Sequence, residues 1–300
     1  MSQTIIVIWQ VLIIEMFRQC NQIVSKLNSY VAAWKQAHRS LEIELLLRIG
    51  IFVLFIITDN LNGHKQIIQP EEVWLYKYPN SPSIIDFHTL QVLSAMSTFC
   101  VIWAIYLYNR NLYSSINAVL GVSLSMYLSL VITNLIKLVV GRPRPDFFDR
   151  CYKELPEDPK VLSQANCDRS GDLVSQGYKS FPSGHSTLAF GGMAYLSFYI
   201  ALNLKVFSQI NSQHSSLRLI AFLVPLVVAT LVAASRTSDY HHHWQDVLAG
   251  SFIGLMVAYM CFRQNFPPLT TKRMDLSHPL SPLPEQQGSQ LSVIESHSSI

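Results

Sequence analysis

The stretch Phe181-Pro182-Ser183-Gly184-His185-Ser186-Thr187 joins a polar loop to an apolar segment that begins near Leu188. It predicts the start of a helix, because proline suits the first turn, serine is a good N-cap, and glycine lets a ligand approach the backbone. The free N–H groups and the dipole of such a helix end attract anions, and His185 can exchange a proton near neutral pH. Since Pro-Ser-Gly is also ordinary turn chemistry, this stretch alone allows either an anion site or a plain helix cap.

The composition is that of a membrane protein. Half of the 300 residues are hydrophobic and only 14% are charged, which is typical of a polytopic membrane protein rather than a soluble domain. We therefore predict an all-α fold with six transmembrane helices and an active site at one membrane face. The predicted spans are Ile43–Thr58, Leu90–Tyr108, Ile116–Val140, His185–Leu202, Leu217–Ala234 and Trp244–Phe262. The net charge of +3 is small and no long basic run is present, so we expect no nucleic-acid partner.

The two ends of the chain differ from this six-helix region, which we place at residues 41–269. Residues 1–40 form an N-terminal extension whose apolar run Ile5–Ile14 is short for a span and lacks the features of a removable signal peptide, which favours an interfacial or packing helix. Residues 270–300 are rich in proline and serine without apolar periodicity, which predicts a disordered tail. That tail is either a regulatory or sorting segment or simply solvated chain.

Lysine and arginine residues concentrate in the termini and in the connections after the second and fourth spans. By the positive-inside rule, this places both termini in the cytosol and the predicted active site on the luminal or extracellular face, of either the endoplasmic reticulum or the plasma membrane.

Cys151 and Cys167 share the loop on that face. An oxidising compartment favours a disulfide between them, and two unpaired thiols are the alternative. The five cysteines lack the spacing of a zinc site, and we predict no metal and no cofactor.

Charged residues gather at three places where a span meets this face: Lys137 to Pro145, the opening stretch, and Ser235 to Asp246. Lys137 alone is explained equally well by snorkelling to the interface. Together with Arg142 or Arg144, and with Arg236, however, it supplies cations from separate elements, and such a set can neutralise phosphoryl oxygens without a metal.

Two histidines complete a predicted phosphoryl-transfer site. His242 and Asp246 are spaced i,i+4, so on the first turn of the sixth helix they share a face, and the carboxylate can hold one imidazole nitrogen while the other attacks. His185 comes from another helix and can protonate a leaving oxygen. The run from His241 to His243 does not suit one metal ion, because consecutive helical positions diverge by about 100°.

These three segments resemble the signature motifs of the type 2 phosphatidic acid phosphatase family, the lipid phosphate phosphatases. Lys137 through Arg144-Pro145 matches the first motif, and Pro182 to His185 matches the second. Ser235-Arg236, with His242 and Asp246, matches the third. Within the family, Gly141–Phe148 and the stretches around the other motifs are similar to the diacylglycerol pyrophosphate phosphatase-like subgroup.

The resemblance implies metal-independent hydrolysis of lipid phosphate monoesters: phosphatidic acid to diacylglycerol, and also lysophosphatidic acid and diacylglycerol pyrophosphate. His242 is then the nucleophile that forms a phosphohistidine, Asp246 orients it, and His185 is the general acid. The implied phosphate-binding residues are Lys137, Arg144, Ser183, Gly184 and Arg236. Arg142 matches no motif position. Another superfamily phosphatase or a lipid phosphotransferase stays an alternative, as does a catalytically silent scaffold, which we would expect to have lost motif histidines or arginines.

Overall fold

The computed structural model describes residues 41–207 and 215–269. Within these two ranges the chain forms helices and no strand, so the all-α prediction is confirmed for the described part. The predictions for the N-terminal extension (residues 1–40) and for the tail (residues 270–300) lie outside the described residues. The helices, in chain order, are α1 (residues 41–60), a 3-10 helix (Pro70–Tyr76), α2 (Phe87–Asn109), α3 (Leu112–Val140), α4 (Phe147–Cys151), α5 (Pro159–Ser163), α6 (Asp172–Gly177), α7 (Gly184–Leu204), α8 (Ser215–Ser238) and α9 (Trp244–Asn265).

Five of the described helices, α2, α3, α7, α8 and α9, are long and apolar enough to cross a membrane. They coincide with the second to sixth predicted spans and extend them by about a turn at most. The first predicted span lies within α1, which is helical but carries Glu42, Glu44, Arg48 and Asp59 and is not among the five. Length and composition therefore support five spans, and α1 is a helix of mixed polarity beside them.

Helix α7 is the centre of the bundle and packs against α2, α3, α8 and α9. In its apolar stretch 72% of the residues are buried, against 22% in α2 and in α8. Small residues allow this close packing: a Cβ on Gly191 of α7 would lie 2.9 Å from Ser129 Oγ of α3, and one on Gly254 of α9 would lie 2.5 Å from the Thr187 carbonyl of α7. The helix that follows the opening stretch is thus the helix on which the others pack.

Local sequence sets where the helices end at the site. Gly141, with φ of +61°, ends α3 one turn after Lys137, and its N–H bonds the Lys137 carbonyl. Ser183 is the N-cap of α7, and its hydroxyl accepts from the Ser186 N–H. Helix α8 continues to Ser238, so Ser235 and Arg236 lie in its last turns. The prediction that these two residues begin the connection to the sixth span is wrong, because α8 continues for about one turn beyond the end of its apolar sequence.

Residues 61–86 and 141–183, which we call the loop cap, form a layer with its own small core. Ile68 and Val73 near the 3-10 helix pack with Phe147, Phe148 and Tyr178 of the second segment. In this layer Cys151 and Cys167 are joined by a disulfide. The segment between the third and fourth spans is therefore folded, although it is polar overall. Its short helices α4, α5 and α6 each place at least one apolar side chain in this small core.

Candidate active site

The three motif segments meet at one cavity of about 380 Å³. Five of the predicted site residues line it: Lys137, Arg144, Gly184, His185 and His242. Most of its remaining wall comes from α1, α2 and α3, which supply apolar side chains together with several polar ones, and Gln176 of α6 adds one more polar group. These wall residues include Phe55, Asp59, Phe87, Gln91, Leu130 and Asn134. The cavity therefore joins a cationic end to a partly apolar end, as a phosphate ester of a larger organic group requires.

The cationic end holds two positive groups without a protein partner. Within residues 41–207 and 215–269, neither the Lys137 ammonium nor the Arg144 guanidinium makes a hydrogen bond or a salt bridge, and Arg144 Nε is buried. Burial and the neighbouring Arg150 lower the pKa of Arg144 to about 10, so this group stays charged at neutral pH. Both residues are partly buried, and cations in such positions are normally paired. Two cations that face one cavity and have no partner in the described residues therefore indicate an anionic ligand.

Gly184 and Ser183 occupy different sides of the α7 N-terminus. Gly184 lines the cavity, and a Cβ there would lie 3.3 Å from Lys137 Nζ, so the missing side chain keeps the cation and the helix end close together. The Ser183 hydroxyl is fully buried, 3.0 Å from the Ser186 hydroxyl in the cap. The first-turn N–H groups of Gly184 and His185 have no acceptor within the helix and remain available to an anion.

His185 and Arg236 contact each other at the edge of the cavity. Arg236 Nη1 lies 2.8 Å from His185 Nε2, and both atoms lie 3.1 Å from the backbone carbonyl of Ile85. The Arg236 side chain is only 1% exposed and also forms an ion pair with Asp239. Arg236 thus lies behind His185, which lines the cavity, and does not itself line it.

His242 lies in the turn before α9, with its ring at the cavity wall. Burial lowers the pKa of His242 to about 3; Asp246 opposes this shift, and the cations Arg144 and Lys137 add to it. The imidazole is therefore neutral at physiological pH and has a lone pair on one nitrogen. Its Nδ1 faces Ser180 and Asp246, which leaves Nε2 as the free nitrogen.

The relation predicted between His242 and Asp246 differs from the one observed. His242 precedes α9, whose N-cap is His243, so the two residues do not share the first helical turn. The Nδ1 of His242 is 3.9 Å from the nearer Asp246 oxygen, beyond hydrogen-bond distance. The fully buried carboxylate instead accepts from Arg142 Nη1 at 2.6 Å, from Ser180 Oγ at 2.5 Å and from the His243 N–H at 3.1 Å. The i,i+4 argument fails because the helix begins two residues later than it assumed.

Comparison with known proteins agrees with this geometry. A family profile described as the PAP2 superfamily matches residues 118–268, which hold all three motif segments. This chain belongs to the PAP2 superfamily.

Relatives within the PAP2 superfamily extend the match. The chain is 36% identical over 224 residues to lipid phosphate phosphatase 2 of Arabidopsis thaliana, covering 74% of this chain and 76% of that protein. It is 31% identical to probable lipid phosphate phosphatase 4 of the same plant, covering 78% and 75% respectively. Diacylglycerol pyrophosphate phosphatase 1 of Saccharomyces cerevisiae is 38% identical over 161 residues, covering 53% of this chain and 54% of the yeast protein. No solved structure matches the chain significantly.

Two residues around this PAP2 site were not assigned by the sequence. Arg142 lies between Lys137 and Arg144 in the first motif segment, and the sequence offered it only as an alternative to Arg144 among the phosphate-binding cations. Ser180 lies two residues before Pro182 and carried no signal. Both become visible through contacts with Asp246, which is 104 and 66 residues away in sequence respectively.

Proposed function

We propose that this protein is an integral membrane phosphatase that hydrolyses lipid phosphate monoesters through a phosphohistidine intermediate. One observation carries the proposal: Lys137 and Arg144 face a cavity and have no hydrogen-bond or salt-bridge partner in the part of the chain that the structure describes, and they lie beside the neutral ring of His242. The cavity wall from α1 to α3 suits the glycerol and the first part of an acyl chain. The names of the plant and yeast relatives point to lipid phosphates and to diacylglycerol pyrophosphate as substrates. Among the lipid phosphates we propose phosphatidic acid and lysophosphatidic acid.

In the first half-reaction, Lys137, Arg144 and the N–H groups at the start of α7 hold the phosphoryl oxygens. The Nε2 lone pair of His242 forms a bond to phosphorus as the bond from phosphorus to the ester oxygen breaks. The negative charge of the bound phosphoryl group favours a protonated His185, and His185 gives this proton to the ester oxygen, so that diacylglycerol leaves as a neutral alcohol. Arg236, 2.8 Å from His185, sets the position of the acid and adds positive charge behind the phosphoryl group.

In the second half-reaction, water attacks the phosphorus of the phosphohistidine. His185, which is now neutral, takes a proton from this water, the new oxygen–phosphorus bond forms, and the bond from phosphorus to Nε2 breaks. Inorganic phosphate is released and both histidines return to their starting states. No step requires a metal ion.

The proposed topology has α1 as a sixth span, with both termini in the cytosol and the cavity on the luminal or extracellular face. The charge of Arg48 is compatible with a span, because its side chain bonds Glu44 and the Leu120 carbonyl of α3. The Cys151–Cys167 disulfide lies in the loop cap beside the cavity, which fits an oxidising compartment.

The test is phosphate release from phosphatidic acid in detergent micelles containing EDTA. We expect wild type to be active, and His242→Ala and His185→Ala to lose activity by at least about 1000-fold. His64→Ala, which changes an exposed histidine of the loop cap, should stay within about threefold of wild type. Substrate carrying labelled phosphate should leave acid-labile label on wild type and none on His242→Ala. Activity that survives His242→Ala, or that disappears in EDTA, contradicts the mechanism.

A substrate panel separates the alternatives. Faster release from glucose 6-phosphate than from lipid phosphates would favour a sugar-phosphate phosphatase. A phosphorylated alcohol formed in the presence of an added acceptor would favour a phosphotransferase. Folded protein that releases no phosphate from any of these substrates would favour the silent scaffold.

A further inference from the structure

The two oxygens of the Asp246 carboxylate are occupied by groups other than His242. Oδ1 accepts from Arg142, and Oδ2 accepts from Ser180 and from the His243 N–H. The carboxylate is fully buried, so water does not compete for these positions. Asp246 can act on His242 directly through its charge, but the separation of 3.9 Å is too long for a direct hydrogen bond, so a hydrogen-bonded link between them needs one of these partners.

Ser180 is the partner of Asp246 that also contacts His242, so it can link the carboxylate to the imidazole. Its hydroxyl lies 2.5 Å from Asp246 Oδ2 and 3.5 Å from His242 Nδ1. A hydroxyl has one proton, and a carboxylate can only accept, so this proton points to Asp246. The oxygen lone pairs then face His242 Nδ1, where they favour the tautomer with a proton on Nδ1. That tautomer leaves the lone pair on Nε2, the nitrogen that attacks phosphorus.

The backbone holds this arrangement rigidly. The Ser180 N–H donates to the Arg142 carbonyl at 3.0 Å, so both side-chain partners of Asp246 are fixed to each other. The Ser183 N–H donates to the Asp246 carbonyl at 2.9 Å, which ties the same aspartate to the α7 cap. Ser180 is fully buried, and Lys179 before it donates to the Asp59 carbonyl at 2.6 Å.

We propose that Ser180 is the positioning residue through which Asp246 orients His242, and that Arg142 holds the carboxylate in place for this task. The inference rests on the proposed function. In the phosphoenzyme, the ring carries phosphate on Nε2 and a proton on Nδ1, and is therefore cationic. The buried carboxylate stabilises that charge, while the bridging hydroxyl keeps the ring plane aligned with phosphorus.

The test compares Ser180→Ala, Ser180→Thr and the control Ser175→Ala, whose hydroxyl bonds Asn62 elsewhere in the loop cap. Ser180→Ala should lower kcat about 100-fold, as expected for a misplaced nucleophile, with KM within about threefold of wild type. Ser180→Thr retains the hydroxyl and should recover most of the loss, and Ser175→Ala should match wild type. The single-turnover rate of phosphohistidine formation should fall by the same factor as kcat.

A double-mutant cycle distinguishes this relay from direct action of Asp246. If the carboxylate acts through Ser180, the Ser180→Ala/Asp246→Asn variant is no slower than the more damaging of the two single variants. Multiplying effects would overturn the relay, as would wild-type kcat in Ser180→Ala while His242→Ala is inactive. Activity retained in His242→Ala would instead show that the proposed function has failed.

Arg142→Gln gives a second route should Ser180→Ala not fold. The Arg142 side chain is 22% exposed, so we expect a substitution at this position to disturb folding less than one at the buried Ser180. Without the guanidinium on Oδ1, the carboxylate can rotate away from Ser180, and we expect kcat to fall about 10-fold at unchanged KM. An unchanged kcat in folded Arg142→Gln would contradict the assigned role of the carboxylate.

Discussion

His241 and His242 are neighbours in sequence whose rings have different partners. His242 lies at the cavity wall, and its low pKa leaves it unprotonated without any base to remove a proton. The His241 Nδ1 lies 2.9 Å from the Asp239 carbonyl, away from the cavity. Burial lowers the pKa of His241 to about 4, and Arg144 contributes to that shift. Both rings are thus buried neutral, which suits a nucleophile but makes the fold sensitive to acid.

We therefore expect the folded state to lose stability between pH 6.5 and pH 4. In this interval the unfolded chain binds a proton at His241, whereas the folded protein binds one only below about pH 4, so falling pH favours unfolding. His241→Gln keeps a hydrogen-bonding group and removes the titration. Its apparent Tm in detergent, measured from pH 8 to pH 4, should fall less than that of wild type. Parallel curves for the two proteins would show that His241 does not contribute.

At the scale of elements, the contact between α7 and α9 brings His242, the proposed nucleophile, to the N-terminal end of α7, where we propose that phosphate binds. The two helices approach closely at Gly250 and Gly254 of α9. A Cβ on Gly250 would lie 2.4 Å from the Ser183 carbonyl, and the corresponding distance from Gly254 to the Thr187 carbonyl is 2.5 Å. Because both obstacles are backbone atoms, the helices must separate if either glycine gains a side chain.

Gly250→Ala should therefore reduce both stability and activity. Overpacking of this kind costs about 1–3 kcal/mol, and the displaced α9 moves Asp246 away from the α7 cap. Gly50→Ala is the matched control, because a Cβ at Gly50 in α1 meets nothing within 4 Å. Thermal unfolding and kcat, measured on both variants, should show a loss for Gly250→Ala and wild-type or slightly higher stability for Gly50→Ala. Equal behaviour of the two variants would contradict the close contact.

On the scale of the whole molecule, the loop cap connects the topology to the site. It supplies Arg144 and Ser180 from residues 141–183, and the Ile85 carbonyl from residues 61–86. The Cys151–Cys167 disulfide closes 16 residues of this layer. The redox state of the compartment that the cap faces therefore bears on the geometry of the site as well as on its stability.

We expect denatured wild type to take up two more maleimide labels after reduction than before. In sealed microsomes, a membrane-impermeant reductant should leave this disulfide intact until detergent is added, as the luminal topology requires. Replacing both cysteines by serine should remove the extra labels and lower the free energy of unfolding by about 3 kcal/mol, the order expected for a loop of this size. Reduction without detergent would place the site on the cytosolic face.

The sequence by itself determined the features that depend on neighbouring residues. Continuous apolar sequence predicted five helices to within about a turn: α2, α3, α7, α8 and α9. This was possible because a helix that crosses a membrane needs about 20 consecutive, mostly apolar residues. The Ser183 cap was equally readable, because its hydrogen bond spans three residues. The family resemblance named residues that line the cationic end of the cavity, Lys137 and Arg144 among them, but also Ser183 and Arg236, which do not line it.

Only the tertiary structure decided which of these residues touch. It assigned Asp246 to Ser180 and Arg142, paired Arg236 with His185, and built a folded cap from a loop that appeared polar. These partners are separated by 51 to 104 residues, and packing of α7 against α9 and the cap brings them together. The i,i+4 spacing of His242 and Asp246 could not predict these contacts. It applies only if both residues lie in the helix, and α9 begins at Trp244, after His242.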